Sequence, residues 1–128
     1  MGMYTELHFN AELKKNIPLE VLGTLNFMLG QAPQPALLPD HPLFETEYWR
    51  FMLQKDSYYF DADTHSTMRY DYIGECYYLC IRCNLKNYHQ EIEKFIDWIM
   101  PYLEKRPGDF LGFHRYEETE DPTLIFMT

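Results

Sequence analysis

Basic residues are scarce in this chain. Against 20 aspartates and glutamates stand 11 lysines and arginines, for a formal net charge of −9 at pH 7. No cluster of Lys or Arg offsets that balance locally, so a phosphate backbone meets repulsion and nucleic acid is excluded as an expected partner. Long apolar runs are missing as well. None approaches the roughly 18 residues of a membrane-spanning helix, so no membrane partner is expected. No basic stretch followed by an apolar one stands at the N-terminus, which leaves no legible secretory signal. Cysteine is sparse and odd in number, with three residues. That count makes no disulfide framework and fits a reducing compartment, so the expected location is cytoplasmic. The six glycines form no Walker A, G-x-G-x-x-G or G-x-S-x-G pattern, and the histidines form no H-x3-H or H-E-x-x-H pair. No cofactor and no metal follow from these patterns.

What is present is enough apolar material for a core. Hydrophobic residues make up 46% of 128 positions, which suits a single domain over residues 1–128. Residues 3–14 alternate strictly. Leu7, Phe9, Ala11 and Leu13 fall on one face and Tyr4, Glu6, His8, Asn10 and Glu12 on the other, the period of a half-buried strand. Pro18 suits the first turn of a helix. Val21, Leu22, Leu25, Met28 and Leu29 then recur at helical spacing, and Gly30 supplies a stop. Pro33, Pro35, Pro39 and Pro42 make residues 31–42 a semi-rigid connector. With the loop-rich stretch that follows, residues 31–66 read as an insertion.

Within that insertion Phe44, Tyr48, Phe51 and Met52 share a helical face, whereas Trp49, Phe51 and Leu53 share a strand face. The first pattern predicts a short helix over 44–53. A loop follows, with Ser57-Tyr58-Tyr59-Phe60 and Asp61-Ala62-Asp63-Thr64-His65. The latter gathers two carboxylates and an imidazole, but has neither the spacing nor the glycine of a calcium loop.

Residues 67–73 and 76–85 read as a hairpin about Gly74-Glu75. In its second strand Tyr77, Leu79, Ile81, Cys83 and Leu85 take the core face, and Tyr78, Cys80, Arg82 and Asn84 the other. Asn87 is the expected cap of a second helix, with Gln90 completing a capping box. Ile92, Phe95, Ile96, Ile99 and Leu103 form its apolar stripe until Pro101 disturbs the last turn. Strands at 110–117 and 123–127 close the chain.

Strand, helix, hairpin, helix and strand in that order predict an α+β fold. Its expected form is a ferredoxin-like (split βαβ) antiparallel sheet with two helices on one face, a Pro-rich insertion and an extra C-terminal strand. The first and third strands are expected as parallel central neighbours. The face away from the helices is then expected to gather Glu6, His8, Tyr78, Arg82, His114 and Tyr116.

A carboxylate, two imidazoles, a guanidinium and several phenols supply acid–base and anion-binding groups. The same mixture suits a protein interface, where Tyr and Arg are favoured at the centre. The interface reading is preferred: a homodimer, or an acidic protein that binds a partner through this face. A cofactor-free small-molecule site or enzyme on the same face, with His8 or His114 as base and Arg82 as anion clamp, is the alternative. Whether the chain is an enzyme stays open at this point.

One literal motif competes. Cys76-Tyr77-Tyr78-Leu79-Cys80-Ile81-Arg82-Cys83 has C-x3-C-x2-C spacing, which resembles the cluster-binding motif of radical S-adenosylmethionine enzymes. Three thiolates there hold a [4Fe–4S] cluster. Arg82 stands where that family has an aromatic residue. Strand alternation also turns Cys83 away from Cys76 and Cys80, so the thiols do not converge. The preferred reading is core cysteines.

Overall fold

The computed structural model of the chain describes residues 3–57 and 63–128. The strict alternation near the N-terminus makes β1, Thr5–Glu12, the centre of the sheet. It pairs with β3, Cys76–Leu85, on one side and with β4, Phe110–Tyr116, on the other. β2, Thr67–Asp71, and β5, Thr123–Phe126, form the edges. The result is an α+β arrangement with a five-stranded open sheet of order β2-β3-β1-β4-β5, every pair antiparallel.

The expected parallel pairing of the first and third strands is therefore corrected. A crossover through a helix returns the chain to the end where β1 began, so β2 runs the same way as β1. The hairpin then reverses β3 against β2, and β3 must oppose β1.

One core joins the helices to the sheet. Leu7, Phe9 and Ala11 of β1, Leu13 just beyond it, and Leu79, Ile81, Cys83 and Leu85 of β3 pack with Val21, Leu25 and Met28 of α1, Leu19–Met28, and with Ile92, Phe95, Trp98 and Ile99 of α2, Glu91–Ile99. Phe9 meets Phe95 edge-on, with ring centroids 6.1 Å apart. Each such side chain contributes about 1.5–3 kcal/mol by leaving water. No helix is long and apolar enough to cross a membrane among the described residues.

The helix ends follow local chemistry. Pro18 is the N-cap of α1. At the other end Gln31 N–H donates to Asn26 and Gly30 N–H to Phe27, with Gly30 at φ +76°. Only glycine takes that left-handed position without strain. The capping box expected at Asn87 and Gln90 is corrected. Gln90 is itself the N-cap, in a left-handed conformation and without a side-chain cap. Asn87 still serves the helix from further out: its Oδ1 accepts from Ile92 N–H at 2.9 Å and its amide donates to Glu93 at 2.6 Å. Pro101 falls in a 3-10 turn, Met100–Tyr102, as the irregular end of α2.

No helix forms over 44–53. Two 3-10 turns, Pro42–Glu45 and Met52–Gln54, stand there instead. Thr46 closes the first with its hydroxyl on the Leu43 carbonyl at 2.6 Å, and its own backbone is extended at ψ 158°. That break lets Trp49 turn inward, where its ring meets Phe27 at 5.7 Å and Phe44 at 4.8 Å. His41 ties this connector to the helix layer. Its Nδ1 accepts from Leu43 N–H at 3.0 Å, and its Nε2 lies 2.8 Å from Asp97 in α2.

β4 carries the irregularity that matters most for the site. Phe110 pairs with Phe126 and Gly112 with Ile125, so Leu111 is an extra residue, a β-bulge. Leu111 and Ile125 are both buried in the core.

Candidate functional site

Side chains alternate across each strand, so cross-strand register decides which residues meet on the far face, the one turned away from the core. Glu6 stands opposite Asn84 on β3 and Arg115 on β4; His8 stands opposite Arg82 and Phe113. These groups engage one another. Arg115 Nε lies 2.9 Å from Glu6 Oε1 and His8 Nε2 lies 3.4 Å from Glu6 Oε2. The His8 ring stacks on Phe113 at 4.6 Å with 16° between planes. Glu6 is only 5% exposed. A buried carboxylate is costly unless paired, and the Arg115 guanidinium supplies the opposite charge beside it.

Towards β2 the face is again phenol and charge. Tyr78 O–H donates to Asp71 at 3.4 Å, and the Arg69 guanidinium lies 4.9 Å over the Tyr78 ring. The Tyr78 hydroxyl is pushed up to about 12, first by its hydrogen bond to the Cys76 thiol and the charge that thiol carries when ionised, then by withdrawal from water. Asp71 is held below the usual carboxylate range by the backbone N–H groups of Gly74 and Ile73. Those bonds also close the hairpin turn.

Towards β5 the face turns apolar. Phe110 meets Phe126 edge-on at 5.7 Å, and Leu124 pairs with Phe113. Phe110, Leu124 and Phe126 are 56%, 52% and 46% exposed.

Of the residues expected to share this face, Glu6, His8, Tyr78 and Arg82 do so. His114 and Tyr116 do not, and that expectation is corrected. They pair with Leu7 and Thr5 on the core side and line a cleft of about 250 Å³ with Asn87, Tyr88 and Glu93 at the sheet's end. Partial withdrawal from water and the neighbouring Glu118 and Glu117 raise the Tyr116 hydroxyl. The bulge is the cause, since one extra residue flips every later side chain to the other face. Phe113 and Arg115 take the places assigned to His114 and Tyr116. The signal that finds them is the adjacent apolar pair Phe110-Leu111, which breaks alternation just ahead of Gly112.

The cysteines divide as strand alternation requires. Cys83 pairs with Leu7 in the core, where burial pushes its thiol up. Cys80 pairs with Asn10 and Cys76 with Asp71 on the far side. Among the described residues no group of three His, Cys, Asp or Glu side chains is placed to hold a metal. Of the Asp61–His65 loop, Asp61 and Ala62 lie outside the described residues, as do Tyr58, Tyr59 and Phe60 of the aromatic run before it.

No family model, no curated protein and no solved structure matches the chain.

Proposed function

We propose that this chain is a protein-interaction module whose partner is a second copy of itself, docked through the β4–β5 end of the far face. One observation carries the reading: a continuous, exposed apolar patch stands on the edge strand β5 and its neighbour β4 in an acidic protein, and none of its residues is acidic. The far-face positions of β4 and β5 are Phe110, Phe113, Arg115, Leu124 and Phe126. Elsewhere a net charge of −9 opposes the approach of two copies; on this face the carboxylate of Glu6 is paired with Arg115 and lies beside His8. Exposed apolar side chains gathered in one patch mark a site of association. Aromatic centre and polar rim, with Arg115, His8, Asn10 and Arg82 around the phenylalanines, match the make-up of interfaces.

The ferredoxin-like (split βαβ) reading of the fold belongs to this proposal. The order β2-β3-β1-β4, with a helix after β1 and another after β3, supports it. β5 is then an addition that widens the sheet and creates the apolar edge.

Sedimentation velocity tests the assembly. The chain is 15.5 kDa, so wild type is expected to sediment as a dimer of twice that mass. Phe126→Glu and Phe110→Glu are expected to give monomers, and Tyr72→Glu, at the opposite hairpin tip where Tyr72 is 86% exposed, is expected to leave the dimer intact. A monomeric wild type, or a dimer that survives both phenylalanine changes, refutes this docking face. A monomer would favour the second reading, a cofactor-free small-molecule site or enzyme around His8. Its support is the pairing of His8 with buried Glu6 and the exposed Arg82 opposite it in register.

A further inference from the structure

At one end of the sheet, where β1 begins and β3 ends, lies a second concavity of about 260 Å³, lined by Tyr4, Tyr48, Met52, Lys55, Leu85 and Lys86. Its composition inverts that of the chain. Acids outnumber bases 20 to 11 overall, yet this lining holds two lysines and no carboxylate. The other four side chains are aromatic or aliphatic. Such a mixture, apolar walls with a few charged groups, is the usual make-up of small-molecule sites.

The walls are fixed. Met52 and Leu85 are buried in the core and form a rigid floor. The Lys55 carbonyl accepts from Asn84 N–H at 3.0 Å and from the Thr64 hydroxyl at 2.9 Å, which pins that stretch to β3. Tyr4 N–H donates to Glu117 at 2.7 Å, and Lys86 Nζ stands 5.7 Å over the Tyr4 ring. The Glu117 carboxylate is turned to the Tyr4 backbone. The backbone that carries these side chains is thereby held in place, so binding has only side chains left to order.

We infer that this cavity is a binding site for a small organic anion, a monocarboxylate carried on a flat apolar body, with Lys55 and Lys86 taking the carboxylate and Tyr4, Tyr48, Met52 and Leu85 taking the body. At roughly 30 Å³ per water, 260 Å³ equals about nine waters, which is room enough for a benzoate ion. The site is separate from the β4–β5 patch and stands or falls independently of the dimer.

Benzoate titrated into ¹⁵N-labelled protein tests it, with benzamide as the uncharged isostere and inorganic phosphate as the anion without an apolar body. Benzoate is expected to shift the amides of Tyr4, Tyr48, Met52 and Leu85 in a saturable way, and both controls to bind at least about tenfold more weakly. Lys86→Gln with Lys55→Gln, both exposed and outside the core, is expected to weaken benzoate about tenfold or more. Tyr48→Ala removes apolar wall and is expected to weaken it while both ammonium groups remain. Phe126→Glu is expected to leave benzoate affinity unchanged. The inference is overturned by the absence of any saturable shift up to about 10 mM, by benzamide or phosphate binding as tightly as benzoate, or by shifts confined to another region.

Discussion

Gly112→Ala puts a methyl group where β1 already runs. A Cβ at this position would overlap the carbonyl oxygen of His8, and come within 2.8 Å of the His8 carbonyl carbon and 2.9 Å of Phe9 Cα. Ordinary carbon contacts need about 3.5–4.0 Å, so β4 must withdraw from β1 by on the order of 1 Å or more. Gly112 also sits at φ +156°, a conformation that costs a residue with a side chain about 1–3 kcal/mol. The backbone hydrogen bonds nearest the clash weaken, at about 1 kcal/mol each. The expected loss is about 3–5 kcal/mol, a large share of the roughly 5–15 kcal/mol that holds a domain folded. Urea unfolding followed by far-UV ellipticity is the assay, with a lowered midpoint at unchanged slope as the expected result. The His8–Phe113 stack should loosen as well, visible as a shift of the Phe113 ring protons. A loss below about 1 kcal/mol would refute the close approach of the two strands, and with it the bulge that assigns Phe113 and Arg115 to the far face.

Two further outcomes follow from the far face. Glu6→Gln keeps the acceptor oxygen but removes the charge that holds Arg115 and His8. Arg115 is 40% exposed on its side chain, so the expected loss is about 1–2 kcal/mol rather than the larger cost of breaking a fully buried pair; a neutral effect in urea unfolding would contradict the pairing. The Tyr78 hydroxyl, raised from the usual value near 10 to about 12, stays protonated in the fold after the unfolded chain has ionised. Its stabilising contribution is therefore whole below about pH 10 and is lost as pH rises through about 12. Wild type is expected to lose melting temperature more steeply than Tyr78→Phe across that window, and identical alkaline limbs would contradict the Tyr78 environment.

Much of the central sheet was legible because its strands obey a period of two. Leu7 to Leu13 against Glu6 to Glu12, and Leu79 to Leu85 against Tyr78 to Asn84, fall on the faces that alternation assigns. Alternation carries no record of an inserted residue, so Leu111 shifted the phase of β4 unseen. Residues 44–53 misled for a different reason. Phe44, Tyr48 and Met52 do recur at helical spacing, yet the core takes up Trp49 and Leu53 as fully as Met52, and single 3-10 turns with an extended break bring all three inward better than a helix. The concavity around Lys55 and Lys86 leaves no mark in the sequence at all. Its lining comes from three separate stretches, brought together only when β3 ends beside the start of β1.

The arrangement around Phe44 has an optical consequence. Both tryptophans touch its ring edge-on, Trp49 at 4.8 Å and Trp98 at 5.1 Å, and both are buried. One indole belongs to the 31–66 insertion and the other to α2, so the chain's intrinsic emission reports on the seam between them and is blind to the far face. Emission should be blue-shifted while that seam is shut. If the insertion peels away first on unfolding, emission will redden before the strands melt, and fluorescence and ellipticity will trace two different events.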